Sequence, residues 1–277
     1  MNMEINWRQI FFLPSLFMLV VFSNAGAAKE RALPKVVILA DDSYPPYSYV
    51  ENKQLKGIYV DIVNAAAQLM SEHYQVNLLG MPWKRALMKV EKGEALAILP
   101  PYKHIEEREY IWPYSLAIMS ETVVAYCQNN INIIDYFDGK FSAPLPVLNI
   151  GINSGYMIFS DDIKAAVADK RMMVWENKST EGNIMKLQSK RLDCYLNDRL
   201  AIQYELLMLT KTLRLNFDDV AEALIVMSQT AHIGYSNSDN QKYSYKNDFI
   251  NRMDDALQQV KSSPQYSEII EKYIQPL

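Results

Sequence analysis

The sequence predicts an α/β protein made of two similar halves, with parallel or mixed sheets flanked by helices. Three observations carry this. Short apolar runs alternate with stretches whose apolar residues recur at helical spacing, which is the signature of βαβ units. The order helix, basic residues, strand, polar loop occurs twice along the chain. The chain's 277 residues, 49% hydrophobic and 22% charged, are enough for one large or two moderate cores.

In chain order, VVILA (36–40) is the first strand. In GIYVDIVNAAAQLMSEH (57–73), Ile62, Ala66, Leu69 and Met70 recur at helical spacing. Pro82 opens the helix PWKRALMKVEKG (82–93), since a proline in the first turn loses no hydrogen bond. Leu87 and Val90 point inward there, and Gly93 suits a C-cap. ALAILP (95–100) is the next strand, and LPPYKHIEERE is the loop leaving it. The second half begins with the strand VLNIGINSGY (147–156), which runs into a small-residue turn. Helix DDIKAAVADK (161–170), strand MMVWEN (172–177), helix TEGNIMKLQSKR (180–191) and strand LDCYLND (192–198) follow. Two helices close the chain. Phe249, Met253, Ala256, Leu257 and Val260 form one apolar face, and Ser263-Pro264 caps the last helix. ENKQLKG (51–57) and SNSDNQK (236–242) read as exposed turns.

The N-terminus reads as an export signal over residues 1–28. Arg8 precedes the apolar run IFFLPSLFMLVVF (10–22), and small residues from Ser23 to Ala28 offer a cleavage site. The run is short for a span of about 20 residues, and a retained anchor is the alternative. No cysteine lies near the cleavage region, so a lipid-anchored mature N-terminus is not expected. Export implies an oxidising compartment. Cys127 and Cys194 sit inside the apolar runs VVAYC and DCYL, which do not place them within bonding distance, and we read them as two buried free thiols. His73, His104 and His232 lack ligand spacing, so a zinc site is not expected. No cofactor is expected. The net charge is −4 with no long basic block, which argues against a nucleic-acid partner.

Ligands of α/β sheets bind at the carboxyl ends of the strands. Four loops therefore matter: DDSYPPYSY, LPPYKHIEERE, NSGYM and LNDR. At these loops the chain resembles the bacterial family 3 extracellular solute-binding proteins, from about residue 34 to residue 277. The resemblance lies in Asp42-Ser43-Tyr44-Pro45-Pro46-Tyr47, in Gly57 to Ile62, and in Glu107-Arg108 followed by Trp112-Pro113-Tyr114. It continues in Ile150-Gly151 through Ser154-Gly155, and in Arg191-Leu192-Asp193 through Asp198.

The resemblance implies a two-lobed periplasmic binding-protein clamshell of type II, with a ligand cleft between the lobes. One lobe would comprise residues 29–117 plus 229–277 and the other 118–228, with SETVVAYC and IVMSQTAHIGYS crossing between them. It also implies residue roles. Arg108 would clamp a ligand carboxylate through a bidentate pair that lysine cannot match. Asp198 would hold an ammonium, and Tyr44 and Tyr47 would wall the ligand. Ser154 and the backbone at Gly155 would donate to the carboxylate from the other lobe. Where relatives place hydroxyls and free amides before the arginine, this chain has Pro100, Pro101, Lys103 and Ile105. A proline has no N–H to donate. Lys103 would then supply a second cation and Tyr102 an aromatic wall, which leaves room for anionic or aromatic solutes beside amino acids.

The residues alone keep plainer readings open. Arg108 lies among Glu106, Glu107 and Glu109 and could belong to a solvated ion-pair cluster. Asp198 could cap the helix RLAIQYELLML, and Tyr44 to Tyr47 could form only a rigid turn. Asp42 reads as a strand-end residue, Asp61 as structural, and Trp83 with Arg85 as a stacked surface pair. The leading functional expectation is a monomeric periplasmic protein that captures a small polar solute for an ABC transporter permease. A sensing module working through a separate membrane receptor is the alternative. An enzyme is not expected, because nothing fixes the geometry of Glu106, Glu107 and Asp198 for acid–base work.

Overall fold

The structure is a computed structural model and describes residue 1 and residues 32–139 and 145–274. The export signal expected at residues 1–28 lies, Met1 apart, outside the described residues. No described helix is long and apolar enough to cross a membrane.

The chain begins with β1 (Lys35–Asp41), followed by a small antiparallel sheet of β2 (Ser43–Tyr44), β3 (Ser48–Glu51) and β4 (Gln54–Lys56). ENKQLKG is thus partly a hairpin, with Asn52 and Lys53 at its tip in left-handed backbone conformations. Helix α1 (Ile58–Leu69) comes next. Its first amides donate to the carbonyls of Pro46 and Tyr47, at 2.9 Å each. Gly57, at φ 131°, permits this close approach, since a Cβ there would overlap the Tyr47 carbonyl. The turn carrying Tyr44 and Tyr47 is thereby fixed against α1.

β5 (Gln75–Met81), α2 (Trp83–Glu91), β6 (Ala97–Leu99) and β7 (Ile111–Tyr114) complete the first half. β8 (Met119–Gln128) and the short α3 (Asp135–Asp138) lead into a second unit of the same kind. That unit holds β9 (Leu148–Asn153), α4 (Asp161–Ala168), β10 (Met172–Asn177), α5 (Thr180–Gln188), β11 (Cys194–Asp198), α6 (Arg199–Leu213) and β12 (Val220–Ala231). The chain then returns through β13 (Gly234–Ser236), α7 (Lys246–Lys261) and α8 (Pro264–Ile274).

Two five-stranded mixed sheets result, ordered β5-β1-β6-β13-β7 and β10-β9-β11-β8-β12. In each, a parallel core carries antiparallel strands on one side. Apolar side chains of α1 and α7, among them Ile62, Val63, Phe249, Met253 and Leu257, pack on one face of the first sheet. α2 covers the other face with Ala86, Leu87 and Val90. Residues of α4 and α5, including Ile163 and Ile184, cover opposite faces of the second sheet. The carboxyl ends of β1, β6, β9 and β11 lead into the four loops singled out from sequence.

One reading is corrected here. Cys127 and Cys194 are not free thiols. They face each other across the β8–β11 pair, with Cα atoms 4.0 Å apart, and form a buried disulfide. The two strands are neighbours in the sheet while 67 residues separate the cysteines in sequence. Local pattern carries no information about that adjacency.

Candidate ligand cleft between the sheets

The loops at the strand ends meet around a small, partly open cavity of about 30 Å³, room for roughly two water molecules. Asp41, Tyr44, Trp83, Tyr102, Arg108 and Tyr156 are among its lining residues. β1 delivers Asp41, the short β2 Tyr44, and the first turn of α2 Trp83. Tyr102 and Arg108 come from the loop after β6, and Tyr156 from the loop after β9.

Arg108 is 5% exposed, which excludes the solvated ion-pair reading. Glu106, Glu107 and Glu109 beside it are exposed, while its own guanidinium turns inward. Nη2 donates to the Gly155 carbonyl at 2.6 Å, and the guanidinium lies 5.8 Å from the centre of the Trp83 ring. Gly155 sits at φ 80°, a conformation that suits glycine and turns its carbonyl toward the opposing half. Trp83 is therefore not a surface residue paired with Arg85. It is buried, its cation is Arg108, and Arg85 is exposed.

Tyr156 reaches across to the first half. Its hydroxyl donates to Asp41 Oδ2 at 3.0 Å, and its ring stands edge-on to Tyr44 and Trp83, with centroids 5.5 and 6.4 Å apart. Burial raises the Asp41 carboxyl to about 7, against the hydrogen bonds from Ser43 and Tyr156 that oppose it.

Two further acids lie buried behind the cavity walls. Asp198 Oδ1 accepts from the Tyr47 hydroxyl at 2.8 Å and from the Ala201 amide at 3.0 Å. Its Oδ2 accepts from the Thr122 amide at 3.1 Å. Asp198 thus caps α6, as the plainer reading has it, and also bridges to the first half through Tyr47. Tyr47 stacks on Tyr59 at 4.7 Å. Glu121, on β8, is 2% exposed and meets the hydroxyls of Tyr44, Tyr59 and Tyr102. Burial, reinforced by the charge of Asp198, pushes Glu121 up to about 8.

The structure therefore lines the cavity with Tyr44, Tyr102 and Arg108, sets Gly155 against Arg108 and buries Tyr47 with Asp198 behind Tyr44, and it leaves two candidates outside. Lys103 is exposed. The Ser154 hydroxyl donates to Glu176 at 3.0 Å, on the rim where Glu176 also pairs with Lys84. Pro100 lines the cavity, so the absent amide expected there falls at the cleft itself. Asp61 is structural, as read, and binds Lys272 and Tyr273.

Sequence reasoning missed Asp41, Glu121, Tyr156 and the inward role of Trp83. The signal for Trp83 was present. Trp83, Ala86, Leu87 and Val90 follow helical spacing and are all buried. Asp41 ends β1, where the carboxyl-end rule points. Glu121 left no local trace.

A family model for the bacterial extracellular solute-binding proteins, family 3, matches residues 36–276. No curated protein matches the chain in sequence. Among solved structures, the arginine-, lysine-, histidine-binding protein ArtJ from the thermophilic bacterium Geobacillus stearothermophilus superposes with a TM-score of 0.63 at 17% identity, covering 87% of this chain and 95% of that one. A histidine kinase sensor domain with similarity to periplasmic binding proteins gives a TM-score of 0.66 at 13% identity, covering 87% and 96%. The ancestral amino acid-binding protein AncCDT-1, a precursor of cyclohexadienyl dehydratase, gives 0.64 at 16%, covering 86% and 95%. At these identities the structures share the fold, and the family and its neighbours are mostly binding proteins. A match over nearly the whole described chain, on a two-lobed α/β scaffold, places this chain among the bacterial extracellular solute-binding proteins of family 3.

Proposed function

We propose that the protein captures a small polar solute between its lobes in the periplasm and delivers it to an ABC transporter permease, without chemical turnover. The observation that carries this reading is the cleft. A buried arginine from one half, the buried Asp41 and tyrosine walls line it at the carboxyl ends of both sheets, with Glu121 and Asp198 buried behind. Such a site binds oppositely charged ends of a ligand away from water, where each pairing strengthens. An amino acid or a related small acid with a donor-rich far end fits that charge layout. The cavity, at about 30 Å³, is too small for such a solute, so binding requires the halves to part and Tyr156 to withdraw.

A thermal-shift screen of polar solutes on the mature protein tests the reading. For a solute that binds, Arg108→Ala should weaken affinity about 100-fold, as truncating one member of a buried charge pair does. Asp198→Asn keeps a helix cap through its one carbonyl oxygen while removing the charge, so it should weaken binding, at a cost of about 1–3 kcal/mol in stability because its NH2 meets the Thr122 amide. A hit indifferent to both substitutions would sink the site assignment. Mass spectrometry of the bound solute after prolonged incubation should return it unchanged.

A second reading, a sensing module acting through a separate membrane receptor, is favoured by the likeness to a histidine kinase sensor domain. Genes for a permease and an ATPase beside this one would support transport. An adjacent sensor kinase or cyclase would support signalling.

A further inference from the structure

The Trp83 indole nitrogen and the Tyr235 hydroxyl are the buried side-chain polar atoms left without a hydrogen-bond partner among the described residues. Tyr235 is in the core of the first half. Trp83 lines the cleft cavity. Buried donors are almost always paired, and one left unpaired in a cavity wall points to a partner that comes from outside the chain.

The surroundings say what that partner is. A Cβ on Gly155 would lie 3.4 Å from Trp83 Cδ1, so the edge of the indole that carries Nε1 faces the loop from the opposite half. Arg108 lies over the same ring and uses only Nη2, on the single carbonyl oxygen of Gly155. Its guanidinium fork keeps further N–H groups for a planar acceptor with two oxygens. Pro100, at the same cavity, offers no amide. Lys103, the cation expected to compensate, is exposed and outside the cleft.

We propose that Trp83 Nε1–H is a second donor to the ligand group that Arg108 clamps, so that indole and guanidinium together select a carboxylate. The proposal rests on the solute-binding reading of the cleft. Asp41, Glu121 and Asp198 offer no cation to a second acid and accept from a donor-bearing end, which fixes the orientation. The carboxylate enters at Trp83 and Arg108, and the donor-bearing end faces the acids. The Gly155 carbonyl holds the place at Arg108 Nη2 that one carboxylate oxygen would take.

The test uses mature protein with its tryptophan indoles labelled with nitrogen-15. The twenty standard L-amino acids serve as probes, together with benzoate and succinate. Thermal shift reports binding, and the Trp83 resonance is assigned by its absence in Trp83→Phe. Binding of a carboxylate should move that resonance downfield, as expected of an N–H gaining a charged acceptor. Trp83→Phe keeps a ring under Arg108 but loses the donor, and it should weaken binding about tenfold. The resonance measured on unaltered protein stands even if the variant folds poorly. A probe that binds and is lost in Arg108→Ala, yet leaves the Trp83 resonance unmoved and binds Trp83→Phe equally well, overturns this inference and spares the cleft reading. If no probe raises the melting temperature, both fall together.

Discussion

Replacing both Cys127 and Cys194 by alanine is expected to lower the unfolding free energy of the mature protein by about 4 kcal/mol. The bridge joins residues separated by 67 positions, and closing a loop of that size removes much of the freedom of the unfolded chain. Both side chains are essentially unexposed, so the alanine pair also leaves a void between β8 and β11. The register that sets Cys194 opposite Cys127 sets Asp198 opposite Val123 on the same strand pair. The disulfide therefore braces the ladder that carries Asp198. Urea unfolding of both proteins, with and without reductant, measures the effect. The unaltered protein should lose a similar amount of stability when reduced, while the alanine variant should not respond to reductant. Superposed curves for all four conditions would show that the bridge contributes nothing.

This bridge also marks where sequence reading stops. Elements defined by local period were legible. MMVWEN became β10 over the same residues, and the helices expected near 82–93, 180–191 and 246–263 formed within those limits. The cleft loops were legible too, because a general rule about strand ends selects them before any side chain is placed. What was not legible depends on contacts between segments distant in sequence. Glu121 looks like one polar residue in an alternating strand, and only the fold sets Tyr44, Tyr59 and Tyr102 around it. Lys103 and Ser154 lie in irregular loops, where neither the 3.6 nor the 2.0 period fixes the side a residue faces. Arg108 and Lys103 share one loop. Burial of the first and exposure of the second come from packing against Trp83 and Gly155, which no local pattern encodes.

Glu121 leads to the prediction with the largest effect. In the folded protein its carboxyl is raised from the usual 4.5 to about 8, first by burial and then by the charge of Asp198. The hydroxyls of Tyr44, Tyr59 and Tyr102 face it and oppose the rise. The unfolded chain releases this proton near 4.5, whereas the folded protein keeps it until about 8. Between those limits the folded state binds more protons, so stability falls as pH rises through the window and is not regained above it. The loss attributable to this one group is on the order of 5 kcal/mol across the window. Asp41, raised from 3.8 to about 7 mainly by burial, adds a loss of the same sign between those values. Glu121→Gln keeps both a donor and an acceptor for the three phenols but cannot ionise. It should match the unaltered protein near pH 5 and exceed it in stability near pH 8, leaving the shallower slope due to Asp41. Urea unfolding at pH 5, 6.5 and 8 reads this directly, and parallel profiles for the two proteins would refute it. The same linkage acts on the cleft, because a cationic ligand end placed beside Glu121 favours its ionised form. Binding of such a ligand at pH 7 should therefore release protons, and isothermal titration in buffers of different ionisation heat would count them.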